Sequence, residues 1–146
     1  MRLWHYKLLP YLPELQFKGQ LREIVAIMHD WREKGTTNHI LINKVMEYPK
    51  TDLATYMLYY CQEYRVRYGV SVKEKILEEF FEFASVVGLF GYRPFRGWHT
   101  KEYLRSNMAN LWEKHFMGVG KSRISDEEWE TLLRGYKEIT GEEYVI

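Results

Sequence analysis

Apolar side chains recur along the chain at steps of three and four, the spacing of one buried face of an α-helix. Phe17, Leu21, Ile24, Met28 and Trp31 mark the first such stripe. Pro13 suits its opening turn, where a missing N–H costs nothing, and the helix should fade near Gly35. A short helix is predicted over residues 39–47, stopping ahead of Pro49. Asp52 is placed to cap the next, whose face is Leu53, Tyr56, Met57, Tyr60 and Tyr64, with Gly69 at its end. Ser71 and Glu74 have capping-box spacing ahead of Ile76, Leu77, Phe80, Phe83, Ala84 and Val87. Residues 88–97 read as a loop. Thr100 is the expected cap of a fifth helix carrying Leu104, Met108, Leu111 and Trp112. Ser125 and Glu128 box a sixth, with Trp129, Leu132, Leu133, Tyr136 and Ile139 inward and Gly141 beyond. No segment alternates as a strand does. The expectation is all-α: a single compact domain, 1–146, of about six helices with a short N-terminal arm.

Composition changes this picture little. Apolar residues make up 46% of the 146 positions, which favours a folded chain over a disordered one. The single cysteine, Cys61, has no internal partner, which fits a reducing compartment; it reads as a small buried hydrophobe. No apolar run has the length of a membrane span, and residues 1–13 lack a signal-peptide core. The expected setting is cytoplasmic, nucleoid-associated when bound to DNA, with no membrane partner.

Charge is more informative in its distribution than in its sum. The net charge is +1. Residues 92–123 carry seven basic side chains against two acidic ones, a net +5, and residues 124–146 reverse this to −5. A near-neutral protein with one basic stretch can still hold phosphate through that stretch. Within it, the run from Tyr92 to His99 interleaves Arg93 and Arg96 with aromatic rings. Such a loop suits nucleic acid, or it plugs a core with its rings while the arginines stay solvated. Lys121 and Arg123 follow two glycines and are candidate phosphate contacts. The early glycine of a nucleotide-binding P-loop is replaced by His115, and the segment before it reads as helix, so no nucleotide cofactor is expected. None of the five histidines sits at metal-ligand spacing from another or from Cys61, so no metal is expected.

Residues 1–28 hold the candidate chemistry. Arg22 and Glu23 lie off the Phe17/Ile24/Met28 stripe, and Gly19, one turn before Glu23, leaves room for another group to approach the carboxylate. Read alone, this is most simply a solvated Arg-Glu pair. His5, similarly, is most simply a hydrogen-bonded structural histidine, and Tyr56, Tyr60 and Tyr64 are most simply core.

The opening Met1-Arg2-Leu3-Trp4-His5, then Leu12-Pro13, then Gly19-Gln20-x-Arg22-Glu23, resembles the pyrimidine-dimer DNA glycosylases of the phage endonuclease V type. The likeness is clearest over the first thirty residues and continues weakly through the tyrosine-rich helix to Gly69. It implies a bifunctional glycosylase and apurinic/apyrimidinic lyase acting on damaged double-stranded DNA without a cofactor. The α-amine of the first residue attacks C1′ of the damaged nucleotide and forms an imine; the glutamate assists glycosidic cleavage and the later β-elimination. Carried onto this chain, Met1 supplies the amine, Glu23 is the carboxylate, and Arg2 and Arg22 hold phosphates, with His5 close to the nucleophile. Ala26 stands where members can carry a further basic residue; Lys18 and His29, on the Arg22 side of the helix, are the candidates to supply it. The other readings are a non-catalytic nucleic-acid-binding module that keeps the fold, and an adaptor for RNA or a repair partner.

Overall fold

The computed structural model describes residues 2–36, 39–85 and 92–146. Helices take up 72% of it, and no strand is found among the described residues, so the all-α expectation holds. The helices are α1 (Glu14–Lys34), α2 (Ile40–Asn43), α3 (Lys50–Tyr68), α4 (Glu74–Ala84), α5 (Lys101–Phe116) and α6 (Asp126–Thr140). Short 3₁₀ turns cover Tyr6–Tyr11, Lys44–Glu47 and Gly120–Ser122. No helix is long and apolar enough to cross a membrane.

Pro13 stands just before α1, and Gly35 closes it in the left-handed conformation, its N–H returning to the carbonyls of Asp30 and Trp31. Phe17, Ile24 and Met28 are fully buried as predicted. The rest of the stripe is rotated: Gln20 and Ile27 are inside, while Leu21 and Trp31 are half-buried. The polar Gln20 thus occupies a core position.

The first turns of α3 are buried on every side, from Asp52 to Met57. A helix enclosed all round is a central one rather than an amphipathic surface helix. Its tyrosines bury their rings and spend their hydroxyls on main chain elsewhere: Tyr56 on Trp4 O at 2.7 Å and Tyr60 on Phe17 O at 2.9 Å. Cys61, beside them, is partly buried, and burial pushes its thiol up to about 11.

Two expected caps are not formed. Pro49 precedes α3, and Asp52, already inside the helix, accepts the N–H of Phe95 at 2.9 Å instead. Phe95 has φ 59°, a conformation that strains a bulky residue, and its fully buried ring with the Asp52 bond offsets that strain. Lys73 stands at the cap of α4 with no side-chain bond, and Ser71 accepts from Arg65 Nη1 at 2.9 Å rather than from Glu74. The other two caps are present: Thr100 accepts Tyr103 N–H, and Ser125 and Glu128 form the reciprocal box at the start of α6. Val87 and residues 88–91 of the expected loop lie outside the described residues.

The 3₁₀ turn Tyr6–Tyr11 packs between α3 and α6. Gly135 makes this possible: a Cβ there would lie 2.4 Å from Cγ of Tyr11. From the α3 side, Arg67 reaches under the turn, its Nη2 donating to Leu12 O at 2.7 Å and Leu9 O at 3.1 Å, with Glu63 paired to its Nε at 3.0 Å. A planar, forked cation can collect several carbonyls in this way, where a lysine cannot.

Candidate active site

An extended chain points the N–H and C=O of successive residues to opposite sides. The N-terminal arm obeys this rule, but side chains of the surrounding helices take the place of neighbouring strands. Arg2 and Trp4 face one side. Arg2 N–H donates to Glu23 Oε2 at 2.9 Å, Arg2 O accepts from Gln20 Nε2 at 2.9 Å, and Trp4 N–H donates to Gln20 Oε1 at 2.9 Å. Trp4 O accepts from Tyr56. Leu3 and His5 face the other side, where Leu3 O accepts from Tyr103 Oη at 2.5 Å and His5 N–H donates to Asn107 Oδ1 at 2.7 Å. Tyr6 N–H then reaches His99 Nδ1 at 3.1 Å. Buried main-chain polar groups must find partners. Gln20, Tyr56, Tyr103, Asn107 and His99 supply them from α1, α3, α5 and the turn before α5.

Glu23 and Arg2, both candidates from sequence, are therefore brought together. Glu23 is half-buried, and its Oε2 also accepts from Gln20 Nε2 at 3.2 Å. The Arg2 guanidinium lies 5.1 Å over the Trp4 ring, and its Nη1 is buried without a hydrogen-bond partner. Arg2 forms part of the wall of a cleft of about 880 Å³ that also takes in Lys44, Glu47, Trp98, Tyr103 and Asn110. Met1, the expected nucleophile, lies outside the described residues. The room at Gly19 is met by Arg22, whose Nη2 would sit 3.6 Å from a Cβ there.

The remaining candidates are dispersed. Arg22 is exposed and shares a groove of about 460 Å³ with Lys18, Tyr64 and Tyr68. Lys18 pairs with Glu14 at 3.1 Å. His29 turns to α4, where Glu79 Oε1 lies 2.9 Å away and also holds Arg32. Arg93 and Arg96 are exposed around a second depression that reaches His5 and His99. In the loop that carries them the rings of Phe95 and Trp98 are buried, so these aromatics plug the core, while the Tyr92 ring stands outside. Lys121, on the 3₁₀ turn after α5, and Arg123, just beyond it, are exposed, with Arg123 3.4 Å from Asp126. That turn follows the far end of α5 from Tyr103, roughly 20 Å along the helix.

His5 is inside the molecule. Its Nδ1 accepts Lys7 N–H at 3.1 Å, capping the 3₁₀ turn, and its ring stacks on His99 at 5.2 Å. Desolvation pulls its pKa down to about 4, against a smaller upward pull from a hydrogen bond to the His99 backbone. Burial holds His99 well below the usual imidazole value too. Both rings are neutral spacers behind the arm. The Tyr103 hydroxyl is pushed up by burial, while Asn107 and Arg2 draw it down and Glu23 raises it. Among the described residues, no three His, Cys, Asp or Glu side chains are grouped so as to hold a metal ion.

Sequence reasoning missed Gln20, Tyr103 and Asn107. The available signal was a carboxamide at a core position of a helix, since Gln20 and Asn107 both stand where the apolar stripe passes.

Half of the chain can be compared directly with a known group of enzymes. The family model for pyrimidine dimer DNA glycosylase matches residues 1–76, which include the arm, Gln20, Glu23 and Tyr56. No curated protein and no solved structure matches the chain. With more than half of its length under that model, the chain belongs to the pyrimidine dimer DNA glycosylase family, whose members are DNA repair enzymes.

Proposed function

We propose that the protein excises damaged pyrimidines from double-stranded DNA and cleaves the resulting abasic site, with the α-amine of Met1 as nucleophile and Glu23 as its acid–base partner. One observation carries this reading: Glu23 Oε2 accepts the N–H of Arg2 at 2.9 Å. An α-amine on Met1 is three covalent bonds from that nitrogen, a reach of at most about 4 Å. The carboxylate and the amine can therefore work on one sugar carbon.

An α-amine titrates near 7.7–8.0 in the absence of perturbation, so an appreciable fraction is neutral at physiological pH, which a lysine achieves only with help. The amine lone pair attacks C1′, and the base departs with the glycosidic electrons. Opening of the sugar ring leaves an imine between Met1 and C1′. Glu23 stabilises the positive charge that develops at the sugar and then takes the C2′ proton, so that the 3′ phosphate leaves in β-elimination. Water releases the protein. Arg2, with one guanidinium nitrogen unpaired beside the cleft, and Arg22 bind flanking phosphates. Lys18, Arg93, Arg96, Lys121 and Arg123 extend the phosphate contacts in this reading, and residues 1–146 act as one domain. His5 contributes by supporting the arm.

Borohydride reduction of the imine tests this. Wild-type protein mixed with irradiated or abasic duplex is expected to give a covalent adduct carrying Met1. Glu23→Gln is expected to lose nicking while still binding DNA. Equal nicking by a protein with a blocked or extended terminus rules the amine out. Binding without nicking in every form points to a DNA-binding module instead.

A further inference from the structure

We infer that Tyr103 and Asn107 of α5, which lie outside the matched residues 1–76, are positioning residues that set where the N-terminal amine can reach. This rests on the amine reading above. The residues inside the match satisfy only one side of the arm: Glu23, Gln20 and Tyr56 take the polar groups of Arg2 and Trp4. The other side belongs to α5. Leu3 is fully buried and His5 nearly so, yet the carbonyl of the first and the N–H of the second have only Tyr103 and Asn107 to meet them among the bonds described.

Tyr103 and Asn107 are four residues apart and share one face of α5. The two side chains are near enough that Asn107 draws the Tyr103 hydroxyl down. The result is a pair of bonds from one helix face, Tyr103 Oη to Leu3 O and His5 N–H to Asn107 Oδ1. It fixes two arm residues against a single helix. Removing it leaves the arm attached along one edge and free to pivot about the Gln20 bonds. An amine at the end of a short arm moves with that pivot, and a displacement of about 1 Å at a reacting group can cost on the order of a hundredfold in rate. Tyr103 also lies in the same cleft wall as Arg2 and feels the charges of both Arg2 and Glu23, so the pair acts beside the reacting groups rather than behind the core.

The experiment is single-turnover borohydride trapping on a duplex carrying an abasic site, with wild type, Tyr103→Phe and Asn107→Ala. Amide hydrogen exchange over residues 3–5 is followed in parallel. Tyr103→Phe removes one hydroxyl and keeps the ring, so it retains the fold even where Asn107→Ala does not. At saturating DNA the trapping rate of Tyr103→Phe is expected to fall roughly ten- to a hundredfold. The DNA concentration for half-saturation stays within about twofold, since no phosphate contact is touched. Exchange at residues 3–5 quickens. Trapping by Tyr103→Phe at the wild-type rate with unchanged exchange overturns the inference. A wild-type protein that gives no adduct at all, on DNA it binds, is a different failure: it removes the amine reading, and this inference falls with it.

Discussion

Gln20 holds the main chain of Trp4. Its Oε1 accepts the Trp4 N–H at 2.9 Å, and its Nε2 donates to Arg2 O at the same distance. Gln20 is fully buried on the inward face of α1, so a carboxamide in the core exists to serve the arm. It also donates to Glu23 Oε2, which ties the arm and the carboxylate to one side chain.

Gln20→Leu keeps the volume and removes every one of these bonds. The Trp4 N–H and Arg2 O would be left unpaired inside, at about 1–3 kcal/mol each. A loss of roughly 2–6 kcal/mol in urea unfolding is expected. Nicking of irradiated plasmid should fall further than the loss of folded protein accounts for. A variant as stable and as active as wild type would show that the arm is held by other means.

Stability should drain away in mild acid. His5 is neutral in the folded protein, with a pKa of about 4 against 6.5 when free, and burial lowers His99 in the same direction. Between those values the unfolded chain takes up protons that the folded one refuses. The stabilisation is therefore complete above about pH 6.5 and lost as the pH falls towards 4. His5 alone accounts for on the order of 3 kcal/mol. His5→Asn retains an acceptor for Lys7 N–H and removes one titrating ring, so its urea midpoint should vary less steeply with pH over this window. An identical slope in the two proteins would assign the acid sensitivity elsewhere.

Much of the helical frame was legible because it depends on side-chain spacing. Ser125 with Glu128, Thr100, and the glycines after α1, α3 and α6 ended up at the helix boundaries where local rules put them. The misses share one cause, a distant partner that outbids the local one. Asp52 is drawn to Phe95 N–H, forty-three residues away, and Ser71 to Arg65. The arm was legible only as a resemblance. Its conformation is dictated by Gln20, Tyr56, Tyr103 and Asn107, and nothing in their spacing announces which carbonyl each will meet. The carboxylate of Glu23 was found by motif; that it faces the Arg2 N–H was not.

Arg67→Lys is expected to cost about 1–3 kcal/mol in unfolding free energy. The lysine keeps a positive charge near Glu63 but cannot span Leu9 O and Leu12 O together, nor lie flat over Phe17 as the guanidinium does at 4.0 Å. Because these carbonyls belong to the turn that carries the arm, the turn should loosen before the helices do. Faster hydrogen exchange confined to residues 6–12 would be its signature. A uniform change across the chain would mean that Arg67 acts only on global stability.

Lys121 gives the sharpest test of how far the DNA contact extends. The proposed reaction centre is at the arm, whereas Lys121 is exposed on the turn beyond the other end of α5. A lysine that neutralises one phosphate releases about one counterion, so Lys121→Ala should reduce the slope of log affinity against log salt by about 1. The loss should be the same for damaged and undamaged duplex, because a phosphate contact carries no lesion information. Arg22→Ala, next to Glu23 in the chain, should instead weaken binding and slow the trapped reaction together. If the Lys121 variant keeps the wild-type salt slope, the duplex stops short of the α5 turn, and the basic stretch of residues 92–123 does not act as one DNA-facing surface.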